Sequence, residues 1–351
     1  MSDDRLREAL AGVAGSPCLI AEISGNHSGR IERALELVGA AASAGADVVK
    51  FQHYTPESMT VRSDHPDFQV TGGTLWDGRQ LADLYAEAMT PWEWTEELVA
   101  ECDRLGLAWL STPFDPSAVD FLESFNPPAY KIASFEIVDL PLIRYSASKG
   151  RPLIISTGMA TVDEIDRAVR AASEGGAPSV ALLRCNSAYP ADPGQMDLAA
   201  IPVMRSLWDV PVGLSDHTLT STAAIAAVAL GASIVEKHVT LRRSDGGPDA
   251  EFSLEPQELA RLSSVLGEAH AAIGRPRFGP SAGEAASLAF RRSLRVIAPI
   301  AEGKAFSERN VRSVRPAGGL APDLLSTVIG KRARRSLSVG DPLTSADVAD
   351  E

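Results

Sequence analysis

The sequence predicts a (β/α)8 barrel followed by a small β-rich module. Three observations carry that expectation. Eight short apolar runs alternate with Ala- and Glu-rich segments of helical spacing. Several of those segments end in glycine just before the next run, as helix C-termini prefer. Beyond residue 290 the pattern changes to short extended pieces, Gly turns and many Arg, with no long helix.

In chain order the predicted strands are 18–23 (CLIAEI), 47–52 (DVVKFQ), 107–112 (LAWLST), 129–134 (AYKIAS), 152–157 (PLIIST), 180–185 (VALLRC), 211–216 (PVGLSD) and 233–239 (SIVEKHV). Segments such as RIERALELVGAAASAGA (30–46) and TVDEIDRAVRAASEGGA (161–177) fill the gaps as helices, and Gly45, Gly106, Gly150 and Gly231 mark helix ends. Eight units over roughly 250 residues suit the barrel better than an open doubly wound sheet. EISGNHSG after the first strand is no dinucleotide-binding GxGxxG. The expected partition is a catalytic barrel over 1–278, a linker over 279–289 and a terminal module over 290–351.

Composition narrows the function class. The 351 residues carry a formal net charge of −13, which argues against nonspecific binding to nucleic acid or anionic membranes. The three cysteines, Cys18, Cys102 and Cys185, include no CxxC pair, so neither a disulfide framework nor a zinc knuckle is expected. The polar start MSDDRLREALAG is no signal peptide and no apolar run reaches membrane length, so a cytoplasmic location is expected.

Almost every predicted strand ends in polar or ionisable residues. In this barrel those ends open onto one face, where active sites sit. Lys50 and Lys131, with Thr112, Ser134, Ser156 and Ser215, suit a phosphate, the ammonium groups supplying charge and the hydroxyls directed hydrogen bonds. His217 and His238 close the neighbouring seventh and eighth strands and suit Mn2+ or a similar divalent ion, with Asp216 and Glu236 as orienting carboxylates. Glu22 tops the first strand and is placed to orient substrate or move a proton, or to pair with a lysine. Cys185 reads as a buried strand residue rather than a nucleophile, because no histidine partner stands nearby in sequence. His27 and His53 lie near strand tops, within reach of substrate, while His65 and His270 read as loop and helix-surface residues. Phosphate, metal and carboxylate together leave aldol-type condensation, phosphoryl transfer and isomerisation open.

The motifs IAEISGNHSG, GADVVKFQHYT, STPFD, YKIASFE, ISTGMAT, CNSAYP, GLSDHT and EKHVT, with the terminal module, resemble the sialic acid synthase family over nearly the whole chain. SGNH, LWDGRQLADLYAEAMTPWEW (75–94), SFEIVDLPLI (134–143) and FRRSL resemble its pseudaminic acid branch, and the terminal module is similar to the family's antifreeze-like (SAF) domain. The resemblance implies condensation of phosphoenolpyruvate with an open-chain amino-sugar aldehyde, 2,4-diacetamido-2,4,6-trideoxy-altrose, to a nonulosonic acid and phosphate. It further implies Mn2+ (with Mg2+ or Co2+ as alternatives) on His217 and His238, and Glu22 at the aldehyde carbon. Lys50, Thr112, Lys131, Ser134, Ser156, Ser187 and Ser215 would hold phosphoenolpyruvate. Gln52, Tyr189, Asp249 and Arg315 would hold sugar, and His53 joins them as a departure at a position where the branch shows Thr. Arg315 would come from a partner copy in a homodimer with exchanged small domains. Segment 53–90, the longest insertion after a strand, is expected to line the sugar pocket. N-acetylneuraminate or legionaminate synthesis, another aldehyde acceptor, or an inactive carbohydrate-binding homologue are the alternatives.

Overall fold

The structure is a computed structural model that describes residues 2–13 and 15–349; the outermost positions of the expected domains, 1 and 351, lie outside these. Eight parallel strands close into a barrel in chain order: β1 Cys18–Glu22, β2 Val48–His53, β3 Ala108–Pro113, β4 Tyr130–Ile132, β5 Leu153–Ser156, β6 Val180–Cys185, β7 Val212–Asp216 and β8 Ile234–His238. Closure is made by β1 against β8, with Glu22 beside His238 and Ile20 beside Glu236.

Strand residues alternate between two faces. Leu19, Ala21, Val49, Phe51, Val235 and their equivalents point outward and form the large apolar cluster shared with the surrounding helices. Cys18, Ile20, Val48, Leu110, Ile154, Leu183 and Ile234 point inward and fill the lower barrel. Leu6, Ala9 and Leu10 of the helix Ser2–Leu10 join that inner cluster. The inward positions are therefore apolar in the lower half and polar at the C-terminal mouth.

Local chemistry sets the helix limits. Thr161 and Glu164 form a reciprocal capping box at the start of Val162–Gly175. Gly106 ends Thr95–Leu105 at φ +72, a conformation that glycine adopts without steric cost.

The chain divides into two compact units, Met1–Gly274 and Arg275–Glu351. The second contains the antiparallel pair β9 Ser293–Val296 and β10 Val311–Val314 around a small core of Leu294, Val296, Ile300, Phe306, Val311 and Leu343. The stretch expected as a linker carries 3-10 helical turns over Ala282–Phe290. No helix among the described residues is long and apolar enough to cross a membrane.

Candidate active site

The inward-facing strand ends and the loops after β2, β4, β6 and β8 enclose a cavity of about 370 Å³, a size that suits a small organic ligand. Its floor is built from ionisable groups. Lys50 and Lys131 are both buried, and Glu236 Oε1 lies 3.7 Å from the first Nζ and 3.9 Å from the second. Glu22 is fully buried and paired with Lys50, while its Oε1 accepts from the Ser24 amide at 2.6 Å. Glu22 thus reaches the cavity through Lys50 rather than lining it.

Burial works against every one of these charges, and their neighbours decide the outcome. It pushes the Glu22 carboxyl up to about 6, against the pull of Lys50. It also pushes Glu236 up, but Lys131, Lys50 and His217 outweigh it and hold that carboxyl below the ordinary range. It lowers the Lys131 ammonium, whereas Glu22 and Glu236 reverse the burial effect on Lys50 and leave it raised.

Hydroxyls surround the ammonium groups. Lys131 donates to Ser156 at 2.7 Å and Lys50 to Thr112 at 3.2 Å. Ser215 donates to Glu236 at 3.4 Å, and Ser134 and Ser187 meet at 2.8 Å. Gly158 keeps room for that last pair. A Cβ there would stand 2.6 Å from Ser134 Cβ and 2.8 Å from Ser187 Oγ, and its φ of +45 disfavours a side chain. Five of the seven residues expected around an anion, Lys50, Lys131, Ser134, Ser156 and Ser215, line the cavity, while Thr112 and Ser187 do not line it and each hydrogen-bonds one of the five.

The imidazoles of His217 and His238 lie with centroids 5.4 Å apart. His217 Nδ1 donates to the Asn186 carbonyl at 2.8 Å, which leaves Nε2 as the nitrogen for any ligand. Burial lowers this imidazole, but Cys185, that carbonyl and Glu236 outweigh it and raise the group above its ordinary value. The buried His238 Nδ1 has no hydrogen-bond partner, an arrangement that costs free energy unless an ion or substrate group meets it. Burial, with His217, Lys50 and Lys237 nearby, holds His238 well below its ordinary pKa, in the neutral form that ligates metals. No group of three or more His, Cys, Asp or Glu arranged for a metal occurs among the described residues. Two imidazoles alone would leave most positions of any ion they held open for water or substrate oxygen.

On the other side, Gln52 donates to Ser24 at 2.8 Å and Ser24 donates to Asp249, a chain of polar groups beside the cavity. The Tyr189 ring lies tilted against His217 at 4.3 Å and against Trp76 at 5.7 Å, and Trp76 Nε1 donates to the Pro248 carbonyl at 2.7 Å. Segment 53–90 lines this side through Tyr54, Trp76, Leu84 and Tyr85. Arg315 lies in the second unit, exposed, directly after β10.

Three expectations need correction. His53 is not a cavity residue. Strand alternation puts it on the face opposite Lys50 and Gln52, where Ser111 and Thr95 each meet its ring at 2.7 Å. Asp216 faces outward for the same reason, 3.0 Å from Lys237, so it orients no cavity group, whereas Glu236 faces inward. Cys185 is the buried strand residue expected, and the fold adds a histidine from 32 positions along the chain. The Cys185 Sγ lies 4.0 Å from His217 Nδ1 at the cavity wall, and His217 and Ser187 overcome burial to hold the thiol below its ordinary value. His27 is also buried away from the cavity, edge-on to Trp94.

Sequence reasoning missed Glu136. It lines the cavity with a buried, unpartnered Oε2, and burial, against the pull of Lys131, raises its carboxyl to about 7. The only signal was its place two residues after Ser134 in SFE.

The profile of the NeuB family matches residues 37–277, and that of the SAF domain matches residues 291–349. The pseudaminic acid synthase of Campylobacter jejuni is 40% identical over 329 residues, covering 94% of this chain and 96% of the relative. The N,N'-diacetyllegionaminic acid synthase of the same species is 34% identical over 322 residues, covering 91% and 96%. Among solved structures, the N-acetylneuraminic acid (sialic acid) synthetase of Leptospira borgpetersenii, in complex with citrate, superposes with a TM-score of 0.70 at 30% identity, covering 78% of this chain and 91% of that one.

Proposed function

This chain belongs to the NeuB family, and on that premise we propose that it condenses phosphoenolpyruvate with an amino-sugar aldehyde and water to give a nonulosonic acid and phosphate. The favoured acceptor is 2,4-diacetamido-2,4,6-trideoxy-altrose, supported by the 40% identity to a pseudaminic acid synthase. The observation that carries the reading is one cavity that holds two buried ammonium groups with their hydroxyls and, beside them, an imidazole pair.

Lys50 and Lys131 hold the phosphate and carboxylate of phosphoenolpyruvate, with Ser134, Ser156 and Ser215 donating to its oxygens. Thr112 and Ser187 act behind them, through their hydrogen bonds to Lys50 and Ser134. Gln52, Tyr189 and Asp249 hold the sugar. His217 and His238 would hold a divalent cation, Mn2+ first, which supplies Lewis-acid polarisation of the aldehyde. C3 of phosphoenolpyruvate forms the new bond to the aldehyde carbon, whose oxygen takes a proton. Water adds at C2, and the C2–O bond then breaks to release phosphate. Glu22, whose carboxyl titrates near 6 beside Lys50 Nζ, is the group that holds or returns a proton at this floor. Pairing of two copies with exchange of the SAF unit, Arg315 contacting sugar, and a cytoplasmic location belong to the same proposal, supported by the match to the SAF domain for the first two.

Phosphoenolpyruvate labelled with 18O at its bridging oxygen tests the bond that breaks. The label is expected in the released phosphate; label retained in the sugar acid would contradict C–O cleavage.

A further inference from the structure

The helix Leu81–Ala88 directs Leu81, Leu84, Tyr85 and Ala88 at the cavity, positions that form one stripe at helical spacing. A helix in this fold ordinarily buries its stripe against the barrel. Here Leu84 is buried, yet it is absent from the apolar cluster between barrel and helices. Tyr54 extends the surface, its ring meeting Tyr85 at 6.0 Å and Phe114 at 5.0 Å, both edge-on. The cavity therefore has a charged floor at the strand ends and a carbon wall made by the insertion after β2.

An acyclic amino sugar that puts its aldehyde at the imidazoles and its far end on this wall buries its terminal group against carbon. A terminal methyl group buries against carbon without loss. A terminal hydroxyl gives up water, and on the stripe only the Tyr85 hydroxyl could answer it, at a penalty that becomes selectivity. We propose that the Leu81–Leu84–Tyr85–Ala88 stripe makes this enzyme selective for amino sugars that end in a methyl group over those that end in a hydroxymethyl group. The inference rests on the synthase reading above and names the part of the substrate that reading leaves to the wall.

The test compares kcat/KM for the 6-deoxy diacetamido sugar and its 6-hydroxy counterpart, in the wild type and in Leu84→Asn and Leu81→Asn. An apolar site discriminates against an added hydroxyl by about 10- to 100-fold, which is the preference expected of the wild type. Both variants are expected to reduce that ratio at least threefold, and the ratio within one preparation cancels any loss of folded protein. A wild-type ratio near unity, or an unchanged ratio in both variants, overturns the proposal. Calorimetric binding of the two non-reacting alditols to the wild type separates this from the synthase reading. If no sugar releases phosphate, the synthase reading fails, and the wall is judged by the alditols alone: tighter binding of the 6-deoxy alditol supports it, equal or absent binding overturns it.

Discussion

Lys237 Nζ stands 3.0 Å from Asp216 Oδ2 on the outer side of β7 and β8, each residue being the immediate neighbour of a cavity-facing histidine. Both are almost wholly buried, and Lys237 also donates to the Thr218 carbonyl. The pair thus braces the two strand ends that present His217 and His238, without touching the cavity.

Lys237→Met leaves the Asp216 carboxylate buried without its cation. Breaking a buried pair in this way costs about 3–5 kcal/mol. Chemical denaturation is expected to show that loss, while kcat per folded molecule stays within about twofold. Full stability would refute the bracing role.

His238→Ala removes the imidazole whose Nδ1 is buried without a partner. Thermal unfolding with and without Mn2+ is expected to show a stabilisation by the metal in the wild type that disappears in the variant. Turnover is expected to fall at least about 100-fold, the scale of losing one electrostatic stabiliser of developing negative charge. Metal stabilisation that survives the substitution would remove His238 from the metal site.

His53 and His27 give an acid limb to stability. Burial lowers their imidazoles from 6.5 to about 3 and about 4 respectively. The folded protein therefore keeps them neutral while the unfolded chain takes up protons below 6.5. Stability is complete above that pH and falls as pH drops toward the folded values, by about 1.4 kcal/mol per pH unit for each histidine. His53→Gln, which cannot titrate, is expected to lose one histidine's share of that slope between pH 6 and pH 4. An unchanged slope would mean that His53 is protonated in the fold.

The barrel was legible because its signal is local and repeated: apolar runs, helical spacing between them, and polar strand ends. Lys50, Lys131, His217 and His238 could be read for the same reason, since each interrupts or follows an apolar run. Which face a strand-end residue takes was harder. His53 lies one position past Gln52, and only the alternation counted from Lys50 turns it outward toward Ser111 and Thr95. Cys185 and His217 are 32 positions apart and meet only because β6 and β7 pair with Cys185 beside Ser215. The insertion over 53–90 could be assigned to the pocket, but the stripe on its helix reads from sequence like any core-facing helix. Its exposure to the cavity is a tertiary fact.

The measurement that bears most directly on the central claim is phosphate release from phosphoenolpyruvate and Mn2+, with 2,4-diacetamido-2,4,6-trideoxy-altrose compared against N-acetylmannosamine. The account predicts release with the diacetamido sugar and at least about tenfold lower kcat/KM with N-acetylmannosamine. Release with N-acetylmannosamine at an equal or greater rate, or with neither sugar, would contradict it.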